Sequence, residues 1–182
     1  MKKRLLFLGP PGAGKGTQAS ILCKNNNLLH LSTGELLRAE VSAGSALGKQ
    51  AQLIINRGEL VSDEIVLSIV RKNLAISENG WLLDGFPRNL VQAESLELLL
   101  EEIQQPIDAV LLLETNDEVL IKRMLQRGRE DDNGEVIRNR LALYREKTAP
   151  LIDHYSQKGL LKSVKGDGEI NNVANLIQEA LN

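Results

Sequence analysis

A lysine inside a glycine-rich stretch is the feature of this sequence with the clearest chemistry. The nine residues GPPGAGKGT, from Gly9 to Thr17, follow a short apolar run and precede a segment, 18–23, that can form a helix. Glycines let the backbone turn so that successive N–H groups point at phosphate oxygens, and the helix adds its positive end. Lys15 supplies a mobile positive charge. The stretch predicts a loop that binds the phosphates of a nucleoside triphosphate through Gly12, Ala13, Gly14, Lys15, Gly16 and Thr17.

The hydroxyl group of this loop is displaced by one residue from the usual pattern. That pattern has Ser or Thr directly after the lysine, where the hydroxyl binds Mg²⁺, whereas this chain has Gly16 there and Thr17 one residue later. We expect the metal to be held by substrate phosphates and water, with Asp84, at the end of an apolar run, as a candidate to bind those waters. Two alternatives stay open: a loop that only caps a helix, and an Asp84 that only caps the turn at Gly85.

The elements that must position these groups alternate along the chain. Short apolar runs, typical of buried strands, are separated by segments with helical periodicity. This order predicts an α/β fold, a doubly wound parallel sheet of about five strands with helices on both faces. Ligands of such folds bind beyond the carboxyl ends of the strands. The apolar runs are 4–8, 28–31, 81–83, 109–113 and 160–164, and the helical segments include 18–23, 90–100, 119–125 and 136–152.

Two segments fit this alternation poorly. The region from about 32 to 61 is polar with spaced glycines, and residues 128–135 are highly charged. Both are interpreted as inserts that leave the carboxyl ends of strands, where lids are found. The length of 182 residues suits a single domain carrying such inserts.

Composition narrows the classes of partner and compartment. The 22 basic and 24 acidic residues give a net charge of −2, which does not favour nucleic acid or anionic lipid as a partner. Charged residues interrupt every apolar stretch before it reaches the length of a membrane span, and the run before Gly9 is short for a signal peptide. Cys23, the single cysteine, cannot form an intramolecular disulfide. We expect a cytoplasmic protein with a small-molecule ligand, and nothing in the sequence demands more than a monomer.

Four motifs together resemble those of the nucleoside monophosphate kinases, and most closely those of the adenylate kinases. They are GPPGAGKGTQ at 9–18, LSTGELLR at 31–38, DGFPR at 84–88 and TAPLI at 148–152. The resemblance spans nearly the whole chain. It implies a single P-loop kinase domain over 1–182, with a monophosphate-binding insert at 32–61, a short lid at 126–132 and the remainder as core. The implied reaction is reversible transfer of the terminal phosphoryl group from Mg²⁺-ATP to AMP, which maintains the balance of adenine nucleotides.

The resemblance also implies an acceptor site. A glutamine amide can donate and accept at once, which suits Gln92 to the Watson–Crick edge of adenine. The related UMP and CMP kinases tend to have Ala at the position of Thr33 and Asn at that of Gln92, so these two residues favour AMP. Asn89 is a departure toward the pyrimidine pattern, and a UMP/CMP kinase remains the alternative. The implied AMP-binding residues are Thr33, Arg38, Glu59, Leu60, Val61, Gly85, Phe86, Pro87, Arg88, Gln92, Arg129 and Arg140.

On the donor side the resemblance implies that Arg123 stacks on the ATP base, that Arg127 reaches phosphate and that the backbone at Gly168 lines the base site. The implied catalytic cations are Lys15, Arg88, Arg127, Arg129 and Arg140. A lid as short as 126–132, with no cysteine, is not expected to bind the zinc that longer lids of the family carry, because such a site needs about four Cys or His ligands.

Simpler interpretations compete with these assignments. The arginines between 123 and 145 lie among acidic residues and could form solvated ion pairs; Arg145 is expected to be structural. Thr33 could cap a helix starting at Gly34, and Gln92 could lie on a solvated helix face. His30, His154, Ser32 and Trp81 are expected to be structural, with Trp81 in the core. A nucleotide-dependent switch without an acceptor is a further alternative function.

Overall fold

Five parallel strands form the centre of the protein. The computed structural model describes residues 3–57, 61–74, 79–129 and 132–182 of the chain, and in it the strands lie in the order β2–β3–β1–β4–β5. Each neighbouring pair is parallel. The predicted doubly wound sheet is confirmed. The strands are β1 (Arg4–Leu8), β2 (Leu29–Ser32), β3 (Trp81–Asp84), β4 (Ala109–Glu114) and β5 (Leu161–Lys165).

Helices connect the strands and cover the sheet. The segment 32–61, which fits the strand–helix alternation poorly, contains two of them, α2 and α3. The predicted segment 18–23 belongs to a longer helix, α1. The helices are α1 (Lys15–Asn26), α2 (Thr33–Ser42), α3 (Ala46–Asn56), α4 (Asp63–Leu74), α5 (Leu90–Glu102), α6 (Asp117–Arg127), α7 (Gly134–Leu143), α8 (Pro150–Gln157) and α9 (Ile170–Leu181).

Both faces of the sheet are buried at its three central strands, which explains why β1, β3 and β4 are almost continuously apolar. Successive side chains of a strand point to opposite faces, and β1 contributes Leu6 to one hydrophobic cluster and Leu5 and Phe7 to the other. Trp81 belongs to the first cluster and is fully buried. Its indole N–H donates to the side chain of Gln105 at 2.8 Å. The expected core position of Trp81 is correct.

The strand order places the glycine-rich loop at the centre of the carboxyl edge. After β1 the chain forms β2 and β3 on one side and then crosses to β4 and β5 on the other. Ligands of doubly wound sheets bind where the strand order reverses in this way. Phe7 is in register with Asp84, and Leu8 with Leu112, so the end of β3 lies directly beside the start of the loop.

The segment 136–152 is not the single helix that its periodicity predicts. Helix α7 ends at Leu143, and a π-helical turn, Tyr144–Thr148, follows. The N–H of Ala149 donates to the carbonyl oxygen of Tyr144 at 2.8 Å, which is the wider spacing of that turn. Pro150 has no N–H and therefore suits the first position of a new helix, α8. The break directs Thr148 toward the carboxyl edge of the sheet.

Helix α5 provides a matched test of the core. Leu96 is fully buried and Leu98 is 69 % exposed on the same helix. We expect Leu96→Ala to lower the free energy of unfolding by about 2–5 kcal/mol, because it removes packed methyl groups and leaves a cavity. Leu98→Ala should change it by less than about 0.5 kcal/mol. Urea unfolding followed by circular dichroism measures both, and equal effects would contradict this packing.

Candidate functional site

The loop between β1 and α1 adopts a backbone that favours glycine. Gly12 and Gly14 have φ of 87° and 94°, in the left-handed region. A Cβ on Gly12 would lie 2.7 Å from the carbonyl oxygen of Leu120, so a side chain there would collide with α6. Helix α1 begins at Lys15, and its N-cap, Gly14, provides no side-chain hydrogen bond. The first N–H groups of α1 are therefore suited to bind an anion.

The ammonium group of Lys15 folds back over its own loop. Its Nζ donates to the carbonyl oxygens of Gly9 at 2.8 Å and Pro10 at 3.1 Å. Burial lowers the pKa of Lys15 to about 8; the charge of Asp84 opposes this shift and that of Arg88 adds to it. Backbone carbonyls thus hold the ammonium group at the loop, in a position where the oxygens of a bound phosphate can replace the carbonyls as its partners.

Asp84 ends β3 and faces the glycine-rich loop. The residue is 7 % exposed, and its Oδ2 lies 3.9 Å from the point where a Cβ on Gly16 would be. The glycine at 16 therefore leaves room between the carboxylate and the loop. A carboxylate at this position fits the chemistry of Mg²⁺, which takes one or two carboxylates together with phosphate and water.

Arg88 follows β3 and is held by two hydrogen bonds, one from its guanidinium group and one to its backbone carbonyl. Its Nε donates to the carbonyl oxygen of Gly85 at 2.6 Å, and its own carbonyl accepts from the hydroxyl of Thr148 at 2.7 Å. Burial lowers the pKa of Arg88, the positive charge of Arg140 lowers it further, and Asp84 opposes both. Arg88 is thus a half-buried cation close to a second cation, an arrangement that favours an anionic ligand.

A buried carboxylate that the motifs do not single out organises the arginines of the predicted lid. Arg127 donates to Asp132 through Nε at 2.8 Å and Nη2 at 2.6 Å, and Nη1 of Arg140 donates to the same carboxylate at 3.2 Å. The backbone N–H of Arg129 donates to it at 3.2 Å. The Asp132 side chain has no exposed area. Burial alone raises the pKa of Asp132, but the hydrogen bond and charge of Arg127 outweigh it and hold the pKa below its usual range.

Arg127 and Arg140 are therefore not solvated helix-face pairs. The sequence offered four acidic residues, Glu130, Asp131, Asp132 and Glu135, among these arginines. Among the residues that the structure describes, Asp132 is a carboxylate to which both Arg127 and Arg140 donate, whereas Glu130 and Asp131 lie outside the described residues. Arg145 differs: it pairs with Asp117, and both side chains are more than half exposed. Its expected structural role agrees with that position.

Arg123 joins two separate segments at the carboxyl edge. Its Nη1 donates to the carbonyl oxygen of Gly166 at 2.9 Å and to that of Ala13 at 3.3 Å. The first carbonyl follows β5 and the second belongs to the glycine-rich loop. Gly168 lies two residues beyond Gly166, at the same side of the loop. This guanidinium therefore couples the loop to the segment that carries Gly168.

Two of the simpler interpretations are wrong: Thr33 does not cap α2, and Gln92 does not lie on a solvated helix face. Ser32, and not Thr33, caps α2: its hydroxyl accepts from the N–H of Glu35 at 3.4 Å. Thr33 is the first helical residue, and its hydroxyl donates to the carbonyl oxygen of Asp84 at 3.4 Å. Gln92 is 2 % exposed and so does not lie on a solvated helix face. Ser32 can cap because it ends β2 with an extended backbone.

One cavity of about 640 Å³ unites most of the predicted residues. Its volume is in the range of small-molecule sites. Thr33, Val61, Phe86 and Gln92 are described but do not line it, and Glu59 and Leu60 lie outside the described residues. The predicted residues that line it are Gly12, Ala13, Gly14, Lys15, Gly16, Thr17, Arg38, Asp84, Gly85, Pro87, Arg88, Arg123, Arg127, Arg129, Arg140 and Gly168.

Comparison with known proteins agrees with this arrangement. The family model described as adenylate kinase matches residues 7–160. A protein of Prochlorococcus marinus (strain MIT 9211) named adenylate kinase is 66 % identical over 182 residues, which cover all of this chain and 98 % of that protein. Another of that name, from Synechococcus sp. (strain CC9311), is 63 % identical over the full length of both chains.

The chain belongs to the adenylate kinase family. It is a phosphotransferase, a nucleoside monophosphate kinase, and the resemblance carried by its four motifs is confirmed. Membership in the adenylate kinase family also disfavours the two alternatives, a UMP/CMP kinase and a switch module without an acceptor. Among the described residues of this family member, no helix combines the length and apolarity that spanning a membrane requires.

The position of Lys15 predicts how affinity for a triphosphate depends on pH. In the free protein its pKa is about 8, whereas bound phosphates favour the ammonium form and raise that pKa. Above about pH 8 binding must therefore take up a proton. We expect the dissociation constant for ATP to rise by up to about tenfold per pH unit as the pH increases from about 8 toward 10. Isothermal titration calorimetry at several pH values measures this.

Lys15→Arg is the matched control, because an arginine remains protonated throughout this range. Its affinity for ATP should be lower or equal at pH 7 but should vary much less between about pH 8 and 10. A native affinity that stays constant across the range would contradict the assignment.

Proposed function

We propose that this member of the adenylate kinase family transfers the terminal phosphoryl group of ATP to AMP, reversibly, giving two molecules of ADP. One observation carries the proposal. The glycine-rich loop and a second set of cations, Arg38 and Arg88, line the same cavity. A phosphate donor and a phosphate acceptor can therefore meet without leaving the protein. The reaction would balance the cell's adenine nucleotides.

The donor, ATP, binds at the end of the cavity formed by the loop. Lys15 exchanges the carbonyl oxygens of its own loop for phosphate oxygens, and Arg127 reaches the phosphates from the lid. Arg123 stacks on the adenine and keeps the loop close to the segment of Gly168, which forms the other wall of the base site. The proposed ATP-binding residues are Gly12, Ala13, Gly14, Lys15, Gly16, Thr17, Arg123, Arg127 and Gly168.

The acceptor, AMP, binds beside the end of β3. Arg38 and Arg88 hold its phosphate, and Gln92 reads its base. Thr33 hydrogen-bonds the carbonyl oxygen of Asp84, which brings the insert to the turn at Gly85. The remaining proposed AMP-binding residues are Glu59, Leu60, Val61, Phe86, Pro87, Arg129 and Arg140.

The chemistry needs alignment and charge more than proton transfer. The second pKa of a phosphate monoester is about 6, so an oxygen of AMP is already anionic at neutral pH and can attack the terminal phosphorus directly. The new O–P bond forms as the bond to the bridging oxygen of ADP breaks. Lys15, Arg88, Arg127, Arg129 and Arg140 stabilise charge on the transferred group, a task in which one arginine can supply about 10³ to 10⁵ in rate.

Magnesium accompanies the triphosphate. Bound Mg²⁺ would neutralise charge on the phosphate oxygens, and Asp84 would hold its water ligands, since Gly16 occupies the usual hydroxyl position. The lid, 126–132, contains neither Cys nor His, so we propose no zinc site. The proposed reaction requires only the ion, the two nucleotides and a single copy of the chain. We therefore propose that the protein works as a monomer in the cytoplasm.

Three parts of the domain divide this work. The core carries the loop, the insert 32–61 carries Thr33 and Arg38, and the lid 126–132 carries Arg127 and Arg129. Closure of insert and lid over both nucleotides excludes water, which would otherwise accept the phosphoryl group. The buried carboxylate of Asp132 bonds Arg127 of the lid and Arg140 of α7 and so keeps these two cations together.

Arg88→Ala tests the acceptor site. The change removes a half-buried cation next to the attacking phosphate, so we expect ADP formation from ATP and AMP to fall by at least about a thousandfold. ATP affinity should remain measurable by calorimetry, because the loop is intact. Arg71→Ala is the control: Arg71 lies on α4 and pairs with Glu102 at the surface. Full activity of the Arg88 variant would refute its role.

A panel of acceptors tests the reaction itself. ADP formation is measured by a coupled assay with AMP, UMP and CMP as acceptors and with ATP and GTP as donors. AMP should exceed both pyrimidine nucleotides by at least about tenfold in kcat/KM, because the pocket's polar groups lose their partners with the wrong base. Preference for UMP or CMP would favour the pyrimidine alternative, and acceleration by none of them would favour a switch.

A further inference from the structure

The side chain of Gln92 is fixed in one orientation before any nucleotide is present. Gln92 is buried in the first turn of α5. Its Oε1 accepts from the backbone N–H of Arg88 at 2.6 Å, and its Nε2 donates to Oδ1 of Asp63 at 2.5 Å. Its backbone N–H donates to Asn89, the N-cap of α5, at 2.8 Å. Arg88 and Asp63 therefore determine where the side-chain amide points.

The chemistry of the partners settles which end of the amide is which. An N–H of the backbone can only donate, so the atom facing Arg88 must be the amide oxygen. An ionised carboxylate can only accept, so the atom facing Asp63 must be the amide nitrogen. A flipped amide would place oxygen against oxygen and N–H against N–H. Both contacts would be lost together.

The fixed amide keeps one donor and one acceptor for a ligand. An amide oxygen accepts two hydrogen bonds and an NH₂ group donates two, and the contacts with Arg88 and Asp63 use one of each. Arg88 lines the cavity and its backbone N–H donates to Gln92, so the amide lies one hydrogen bond from the acceptor end of the cavity. The remaining acceptor lies next to Arg88 and the remaining donor next to Asp63.

This order of donor and acceptor distinguishes two kinds of purine. Adenine presents an amino group beside a ring nitrogen that accepts, and it pairs with an amide in one orientation. A 6-oxopurine presents a carbonyl beside a ring N–H, which requires the opposite orientation. An amide that is free to rotate could serve both. An amide held by Asp63 serves one.

We propose that Asp63 is a positioning residue for acceptor specificity: by fixing the amide of Gln92, it makes the acceptor site select adenine over 6-oxopurine monophosphates. The inference rests on the proposed function, since it takes Gln92 as the residue that reads the base. Asp63 itself does not touch the nucleotide. It is the first residue of α4. Among the described residues, its side chain is the one that accepts a hydrogen bond from Nε2 of Gln92.

Asp63→Asn is the decisive variant. Asparagine has nearly the same shape, but it can offer Gln92 either an oxygen or an NH₂ group, so one of the two contacts that oppose rotation disappears. The native protein and the variant are compared with AMP and with inosine monophosphate as acceptors. Inosine monophosphate differs from AMP only at the edge that the amide reads. We expect the ratio of kcat/KM for AMP to that for inosine monophosphate to fall by at least about tenfold, mainly through KM.

Glu64→Gln is the matched control. Glu64 is the second acidic residue in the first turn of α4, so its substitution removes the same charge from the same end of the helix. Its ratio should equal that of the native protein. A contact that only stabilised the fold would lower kcat/KM for both acceptors alike and leave the ratio unchanged, and that result for Asp63→Asn would overturn the inference.

A spectroscopic measurement on the native protein is independent of any variant. With ¹⁵N-labelled protein, one of the two side-chain NH₂ protons of Gln92 should exchange slowly with water, because it is bonded to Asp63. Rapid exchange of both protons would refute the fixed orientation. If the native protein phosphorylates neither purine nucleotide, the proposed function fails; if it phosphorylates AMP and the ratio does not change, only the role of Asp63 fails.

Discussion

Repulsion between cations is the constraint on which the arrangement of this site depends. Burial lowers the pKa of both Lys15 and Arg88; the positive charges of Arg88 and Arg140 lower the pKa of Lys15 further, and the charge of Arg140 lowers that of Arg88. Phosphoryl transfer between two nucleotides needs such a cluster, because both substrates and the transferred group are anionic. A protein must hold the cluster together while the phosphates are absent. Much of the local structure can be understood as the means of doing so.

Two kinds of contact hold the cations. Backbone carbonyl oxygens accept from Lys15, Arg88 and Arg123, and they compensate charge without adding a competing anion. Among the described residues, carboxylates also act on the cations: Asp84 acts on Lys15 and Arg88 through its charge, and Asp132 bonds Arg127 and Arg140 directly. Because most of these contacts are made by neutral carbonyl groups, the cavity keeps a net positive charge, which favours phosphate.

The parallel sheet makes this concentration of charge possible. Its carboxyl edge gathers the loop after β1, the turn after β3 and the segment after β5 within one cavity. The central strands β1, β3 and β4 are buried on both faces. Gly12, with its positive φ and its close approach to Leu120, shows how tightly the loop is packed onto α6. A packed apolar core thus carries a polar edge.

The sequence by itself determined the α/β alternation, the sheet, the phosphate-binding loop and the family, because apolar periodicity and a contiguous motif are local properties of a chain. It also indicated which arginines to expect near phosphate. It did not determine that Ser32 rather than Thr33 caps α2, that residues 136–152 break into two helices around a π-helical turn, or that Asp132 is the carboxylate shared by two arginines. Nor could it reveal that Asp63 and Arg88 fix the amide of Gln92. Those features depend on which side chains meet across distances of up to tens of residues in sequence, and only tertiary packing decides which of several equivalent acids or hydroxyls is buried next to its partner.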